Sequence, residues 1–89
     1  MLLPDYTSQF KKDIKLCERR NYDIGLLKSV IVLLLTGEAL PAKYREHLLL
    51  GNYSGYKECH ILPNWLLIYK IIPGNIIIFT RTGTHADLF

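Results

Sequence analysis

From Tyr56 onward the apolar residues recur with a period of two, in three runs separated by two turn signals. In residues 56–62 one face carries Tyr56, Glu58, His60 and Leu62, and the other Lys57, Cys59 and Ile61. Pro63-Asn64 marks a turn. In residues 64–72 Trp65, Leu67, Tyr69 and Ile71 share one face, with Leu66, Ile68 and Lys70 on the other. Both faces are largely apolar, which predicts a central strand covered on both sides. After Pro73-Gly74-Asn75 a third β-branched run occupies residues 76–81,. Short connections between such runs predict antiparallel hairpins.

The N-terminal half has a different period. Residues 2–6 are short and apolar around Pro4, as suits an edge strand,. Thr7 or Ser8 can cap a helix that runs to about Arg20, with Phe10, Ile14 and Cys17 on one face,. Lys12, Lys15 and Arg19 form a basic ridge on that helix, either a solvated face or a surface turned to phosphate,. Asp23 can cap a second helix, with Tyr22 and Leu27 as a hydrophobic staple. Ile24, Leu27, Ile31 and Leu34, widened by Val30 and Leu33, make its buried face, and Gly37 stops it,. Residues 38–46 read as a loop and residues 82–89 as a largely polar tail. The expected order is β-α-α-β-β-β, an α+β fold in which a helix hairpin covers one face of a mainly antiparallel sheet.

Eighty-nine residues predict one domain, residues 1–89,. The chain is 49% hydrophobic and 21% charged, which supports one packed core and excludes disorder,. The net charge of +3 favours a nucleic-acid partner only weakly,. The most apolar run, residues 24–35, is twelve residues long, against the roughly twenty a spanning helix needs,. With no export signal evident, a cytoplasmic protein with two buried, reduced thiols at Cys17 and Cys59 is expected.

Chemistry concentrates in residues 44–65, which hold two of the three histidines, three of the six tyrosines and the one tryptophan. His47 precedes the sheet, His60 shares a strand face with Glu58, and His85 follows the last strand, which ends near Arg81. In an antiparallel sheet these positions can converge on one rim. Imidazoles and a guanidinium around an open sheet face suit RNA phosphodiester cleavage. Histidine can take the proton of a 2′-hydroxyl and return one to the leaving oxygen. Arginine fits the charge that builds on phosphate, and exposed aromatic rings can stack on bases. Unrelated surface histidines are the bland alternative. Metal binding is a third, disfavoured because acidic ligands are sparse. The pattern of a P-loop is absent.

Four blocks carry a family resemblance: Pro41-Ala42-Lys43-Tyr44-Arg45-Glu46-His47, Gly51-Asn52-Tyr53-Ser54-Gly55-Tyr56-Lys57-Glu58-Cys59-His60, Pro63-Asn64-Trp65-Leu66-Leu67-Ile68-Tyr69-Lys70, and Arg81-Thr82-Gly83-Thr84-His85-Ala86-Asp87-Leu88-Phe89. Over nearly its whole length the chain resembles the RelE/ParE superfamily of bacterial toxins, and within it the YafQ-like messenger-RNA interferases. The resemblance implies the small RelE-like microbial ribonuclease fold. It also implies cleavage of messenger RNA in the ribosomal A site by 2′-hydroxyl attack, with no metal or other cofactor. A cognate antitoxin would wrap the toxin and mask its site, with operator DNA bound mainly through the antitoxin. By motif, His47, His60 and His85 match catalytic positions, Arg81 the phosphate-contacting arginine, and Phe89 a terminal aromatic that shapes the site. Trp65 follows the position of the catalytic acid and reads as support or contact. Lys12, Lys15, Arg19 and Lys57 are further candidate contacts to RNA or ribosome. One departure matters: Asn64 stands where the family usually has aspartate, and an amide cannot act as a base. The alternatives are a weakened toxin-fold protein that mainly binds its antitoxin, and a ParE-like gyrase poison, which the three histidines and Phe89 disfavour.

Overall fold

The computed structural model describes all 89 residues. Strand β1 (Leu3–Tyr6) leads into helices α1 (Ser8–Arg19) and α2 (Ile24–Leu35). Strands β2 (His47–Leu48), β3 (Lys57–Leu62), β4 (Trp65–Ile72) and β5 (Ile76–Gly83) follow, then a single helical turn, α3 (His85–Leu88). The sheet order is β1-β5-β4-β3-β2. Only the β1–β5 pair is parallel; the others are antiparallel. No helix is long and apolar enough to cross a membrane.

The helix ends follow from their capping residues. Thr7 accepts a hydrogen bond from the Phe10 N–H at 3.0 Å, which fixes the start of α1,. Asp23 does the same for Gly25 at the start of α2. Gly37 lies just beyond α2 at φ +79°, the left-handed conformation that ends a helix without a Cβ penalty,. Tyr22, expected to staple to Leu27, packs against the core cluster that contains both Leu27 and Trp65, and its ring meets Trp65 edge-on at 5.0 Å.

One apolar layer joins helices to sheet. Phe10 and Cys17 of α1 and Leu27, Val30 and Leu34 of α2 pack on Cys59, Trp65, Leu67, Tyr69, Ile77 and Phe79. On the other face a small cluster of Leu66, Ile68 and Leu88 is flanked by Leu49, Tyr53 and Tyr56. That second face is therefore covered less fully than the helix-packed one, although β4 is apolar on both sides.

Three features depart from the expected order. Part of the region before β3 pairs as β2, with His47 opposite Glu58 and Leu48 opposite Lys57. The polar tail folds into α3 through a reciprocal capping box between Thr84 and Asp87,. Strand β5 carries an irregularity: Phe79 pairs with Tyr69, and Arg81 with Ile68. The extra residue, Thr80, inverts the alternation, so Arg81 lies on the face of Ile68 rather than that of Ile77 and Phe79,.

Candidate active site

The less covered face of the sheet carries two clusters of polar and aromatic side chains. The first is centred on Glu58. Its cross-strand partner on one side is Ile68 and on the other His47, and His60 lies two residues along the same strand, opposite Leu66. Alternation therefore puts Glu58 and His60 on the face of Leu66 and Ile68,. Glu58 is only 2% exposed. Its Oε1 is 3.4 Å from His47 Nε2 and 3.6 Å from His60 Nε2. Its Oε2 is buried and finds no hydrogen-bond partner in the protein, so the carboxylate keeps an unused acceptor.

The two imidazoles are oriented from behind. His47 Nδ1 is 2.9 Å from the Arg45 carbonyl, and His60 Nδ1 is 3.2 Å from the Pro63 carbonyl. A carbonyl only accepts, so each Nδ1 donates, and each neutral ring turns its Nε2 lone pair toward Glu58. Arg45 holds φ +53°, a left-handed conformation that turns its carbonyl region back toward His47,. An imidazolium at either histidine pairs with the carboxylate.

The second cluster gathers the chain's end. The His85 ring is 5.5 Å from the Phe89 ring, and Phe89 meets Tyr53 edge-on at 5.7 Å. Tyr53 in turn meets Tyr56 edge-on at 5.9 Å. Phe89 is 60% exposed, which leaves much of its ring open for stacking,. Asn64, in the turn between β3 and β4, accepts a long 3.4 Å hydrogen bond from the His85 backbone N–H.

Arg81 is held by a residue of the helix layer. Its Nε donates to Asp13 Oδ2 at 2.7 Å and its Nη2 to Asp13 Oδ1 at 3.2 Å. The carboxylate also accepts from the Thr82 N–H at 3.1 Å and from Gln9 at 3.1 Å. Asp13 first, and Tyr53 after it, hold the guanidinium in its charged form,. The fork is thus oriented by one edge while Nη1 is not tied to Asp13.

The structure sorts the other expected residues. Trp65 is 2% exposed and donates its indole N–H to Thr82 at 2.9 Å. It is a core support and offers no face to a base, which corrects its place among the RNA contacts. Lys57 shares the helix-covered face with Cys59 and lines a hollow with Glu46, Leu34 and Ile71. Strand alternation turns it away from Glu58 and His60, so it does not belong with them. Lys12, Lys15 and Arg19 are all exposed on α1.

Glu58, Asp13 and Tyr53 join the candidate site through the structure. Glu58 had a visible signal, since it shares a strand face with His60. Asp13 lies 68 residues from Arg81, and no local pattern announces that pairing. Glu58 also revises the case against metal: the ligand atoms of His47, Glu58 and His60 lie within 4.8 Å of one another. Two imidazoles and a carboxylate, each imidazole backed by a carbonyl, are a donor set that fits a borderline divalent ion.

Comparison with known proteins follows the same lines. A family model described as "Bacterial toxin of type II toxin-antitoxin system, YafQ" matches residues 2–89. The chain is 43% identical to the mRNA interferase toxin YafQ of Escherichia coli K12 over 86 residues, which are 96% of this chain and 92% of the relative. It is similar to a chain in the crystal structure of the E. coli DinJ-YafQ complex, with a TM-score of 0.90, 41% identity, and coverage of 100% of this chain and 99% of the other. It is also similar to a metal-bound toxin from Helicobacter pylori, with a TM-score of 0.93, 36% identity and full coverage of both chains.

Proposed function

This chain belongs to the YafQ family of bacterial toxins of type II toxin–antitoxin systems, and from that premise we propose that it is a cytoplasmic endoribonuclease that cuts messenger RNA in the ribosomal A site. A cognate antitoxin, standing to it as DinJ stands to YafQ in their complex, holds it inactive. Operator DNA is bound through that antitoxin. The observation that carries the reading is the buried Glu58 carboxylate between two oriented imidazoles on a sheet face left partly open.

The reaction is an in-line transfer within the RNA strand. The 2′-hydroxyl gives its proton to the Glu58–His60 pair, and its oxygen bonds to the adjacent phosphorus. The bond from phosphorus to the 5′-oxygen breaks as His85 gives that oxygen a proton. The products are a 2′,3′-cyclic phosphate and a 5′-hydroxyl. Arg81 and an imidazolium at His47 meet the charge on the phosphate oxygens. Phe89 and Tyr53 offer faces to the neighbouring bases, and Lys12, Lys15 and Arg19 suit ribosomal RNA backbone.

Expression without antitoxin should arrest translation and leave discrete cuts in messages. Glu58→Gln, His60→Ala and His85→Ala should each slow cleavage by on the order of 10²–10⁴-fold, the usual contribution of a general acid or base. Growth arrest that persists in these variants with intact messages would overturn the reading. A gyrase poison would instead cause DNA damage. Purified ribosomes added to the toxin and a defined message test the A-site assignment: cleavage should require a message positioned on the ribosome.

The H. pylori toxin in its metal-bound structure favours one further point. An ion held by His47, Glu58 and His60 would take up the lone pairs that the proton transfer needs. Zinc ions should therefore inhibit cleavage and a chelator should restore it.

A further inference from the structure

The helical turn α3 spans four residues, far too few to persist without tertiary support. Yet it carries His85 at its start and is followed at once by Phe89. The His85 ring makes no hydrogen bond of its own; its neighbour is the Phe89 ring. The place of that imidazole is therefore the place of α3, and what fixes α3 fixes His85.

Besides the long 3.4 Å bond from the His85 N–H to Asn64, three things fix it. Leu88 is buried against Leu66 and Ile68. Thr84 and Asp87 exchange hydrogen bonds, Asp87 N–H to Thr84 Oγ1 at 3.2 Å and Thr84 N–H to Asp87 Oδ2 at 2.8 Å. The third comes from the far side of the sequence. Arg20, at the C-cap of α1, donates Nη1 to Asp87 Oδ2 at 2.6 Å and Nη2 to Asp87 Oδ1 at 3.0 Å. Leu88 restrains the turn at its end and the capping box is local. Arg20 alone ties α3 to the helix layer by a charged fork.

We infer that Arg20 and Asp87 form a latch that positions His85 and Phe89 for the cleavage proposed above. Surface ion pairs generally contribute little, because ordering two flexible side chains offsets their attraction. This pair has the geometry that escapes that rule: it is bidentate, and Asp87 is already immobilised by its bonds to Thr84. Arg20 also stands in the connection between α1 and α2, so the latch joins the helix hairpin to the chain's end. Both are positioning residues, acting through α3 on the imidazole. The inference rests on the ribonuclease reading for its effect on rate, but not for its effect on the position of His85.

Arg20→Met removes the fork and keeps an apolar stem of similar length; Asp87→Asn weakens its acceptor; Arg20→Lys keeps the charge without the fork. NMR of the purified toxin reads His85 directly, because ring current from Phe89 displaces its imidazole proton resonances. In Arg20→Met those resonances should move toward their unstructured positions while the rest of the spectrum stays native. Cleavage at saturating message should fall by roughly ten- to a hundredfold, as expected for a misplaced catalytic group, with KM little changed. Arg20→Lys should recover part of both, and Asp87→Asn combined with Arg20→Met should be no worse than the more affected single variant. Unmoved His85 resonances in Arg20→Met would overturn the latch, as would a loss of activity accounted for by global unfolding. If the natural chain cuts no RNA, the displacement of the His85 resonances still decides the latch, and the failure falls on the ribonuclease reading alone.

Discussion

Asn64 sits in the turn between β3 and β4, and its side chain reaches only the His85 backbone, at 3.4 Å. An amide there can help hold α3, but it carries no charge to act on the imidazole. Asn64→Asp keeps the same acceptor for the His85 N–H and adds a negative charge at the start of the turn that carries the ring the proposed reaction uses as an acid. A carboxylate–imidazolium contact near a surface is worth about 1–4 kcal/mol, so cleavage by the variant should rise by about tenfold or more, measured as single-turnover rate on a ribosome-bound message. No rise would mean that the amide does not limit the rate. The histidines, Arg81 and Phe89 were legible in the sequence because the family motifs mark them. Glu58 was legible as a neighbour of His60 on one strand face, yet its burial between two rings was not, since that requires the short β2 pairing that brings His47 across. Asp13 was illegible for a different reason. A charged residue among exposed lysines on α1 reads as solvated, and only the fold shows it buried against Arg81 and the Thr82 N–H.

At the scale of elements, the long pieces were readable and the short ones were not. Helices of three turns and strands of six to eight residues repeat their pattern often enough to be recognised; β2 has two residues and α3 has four. Their stability comes from pairing and packing rather than from local propensity. The irregularity at Thr80 escapes pattern reading too, because an unbroken period-two register would group Arg81 with Ile77 and Phe79,. The two short pieces carry His47 and His85, and the irregular stretch of β5 carries Arg81, so the motifs mark residues whose local structure the periodicity does not show. The joint between β5 and α3 offers a test of how tightly this region is built. A Cβ added at Gly83 would lie 2.9 Å from Asp87 Oδ2 and 3.0 Å from Asp87 Cβ. Gly83→Ala should therefore push Asp87 out of its capping position. The expected outcome is reduced cleavage and faster amide exchange confined to α3, with little change in the exchange of β4 and β5. Wild-type exchange in α3 would show that the joint has room to adjust.

For the whole molecule, a sheet covered by helices on one face and only partly on the other follows directly from the sequence: an apolar helix pair, a central strand apolar on both faces, and a third run to complete the meander. The two cysteines belong to this scale, because both lie in the layer between helices and sheet. Burial pushes the Cys17 thiol up to about 11, and burial, with Glu46 and Glu58 nearby, pushes Cys59 up to about 12. The sign of the consequence follows from proton counting. Between the ordinary thiol value of 9.0 and these raised values the folded chain keeps protons that the unfolded chain has lost. Stability contributed by the neutral thiols is then complete below pH 9, declines as pH rises, and is exhausted only above about 12. Urea midpoints measured from pH 7 to 11 should fall on the alkaline side, and the fall should be shallower in a Cys17→Ala/Cys59→Ala variant, whatever that variant loses in overall stability. At pH 8 iodoacetamide should label neither thiol in the folded protein, and labelling should accelerate with urea in step with global unfolding, because the buried thiol is both protonated and inaccessible. Labelling of Cys59 at a rate indifferent to urea would mean that the layer between helices and sheet opens locally, and that the helix hairpin moves independently of the sheet bearing Glu58 and His60.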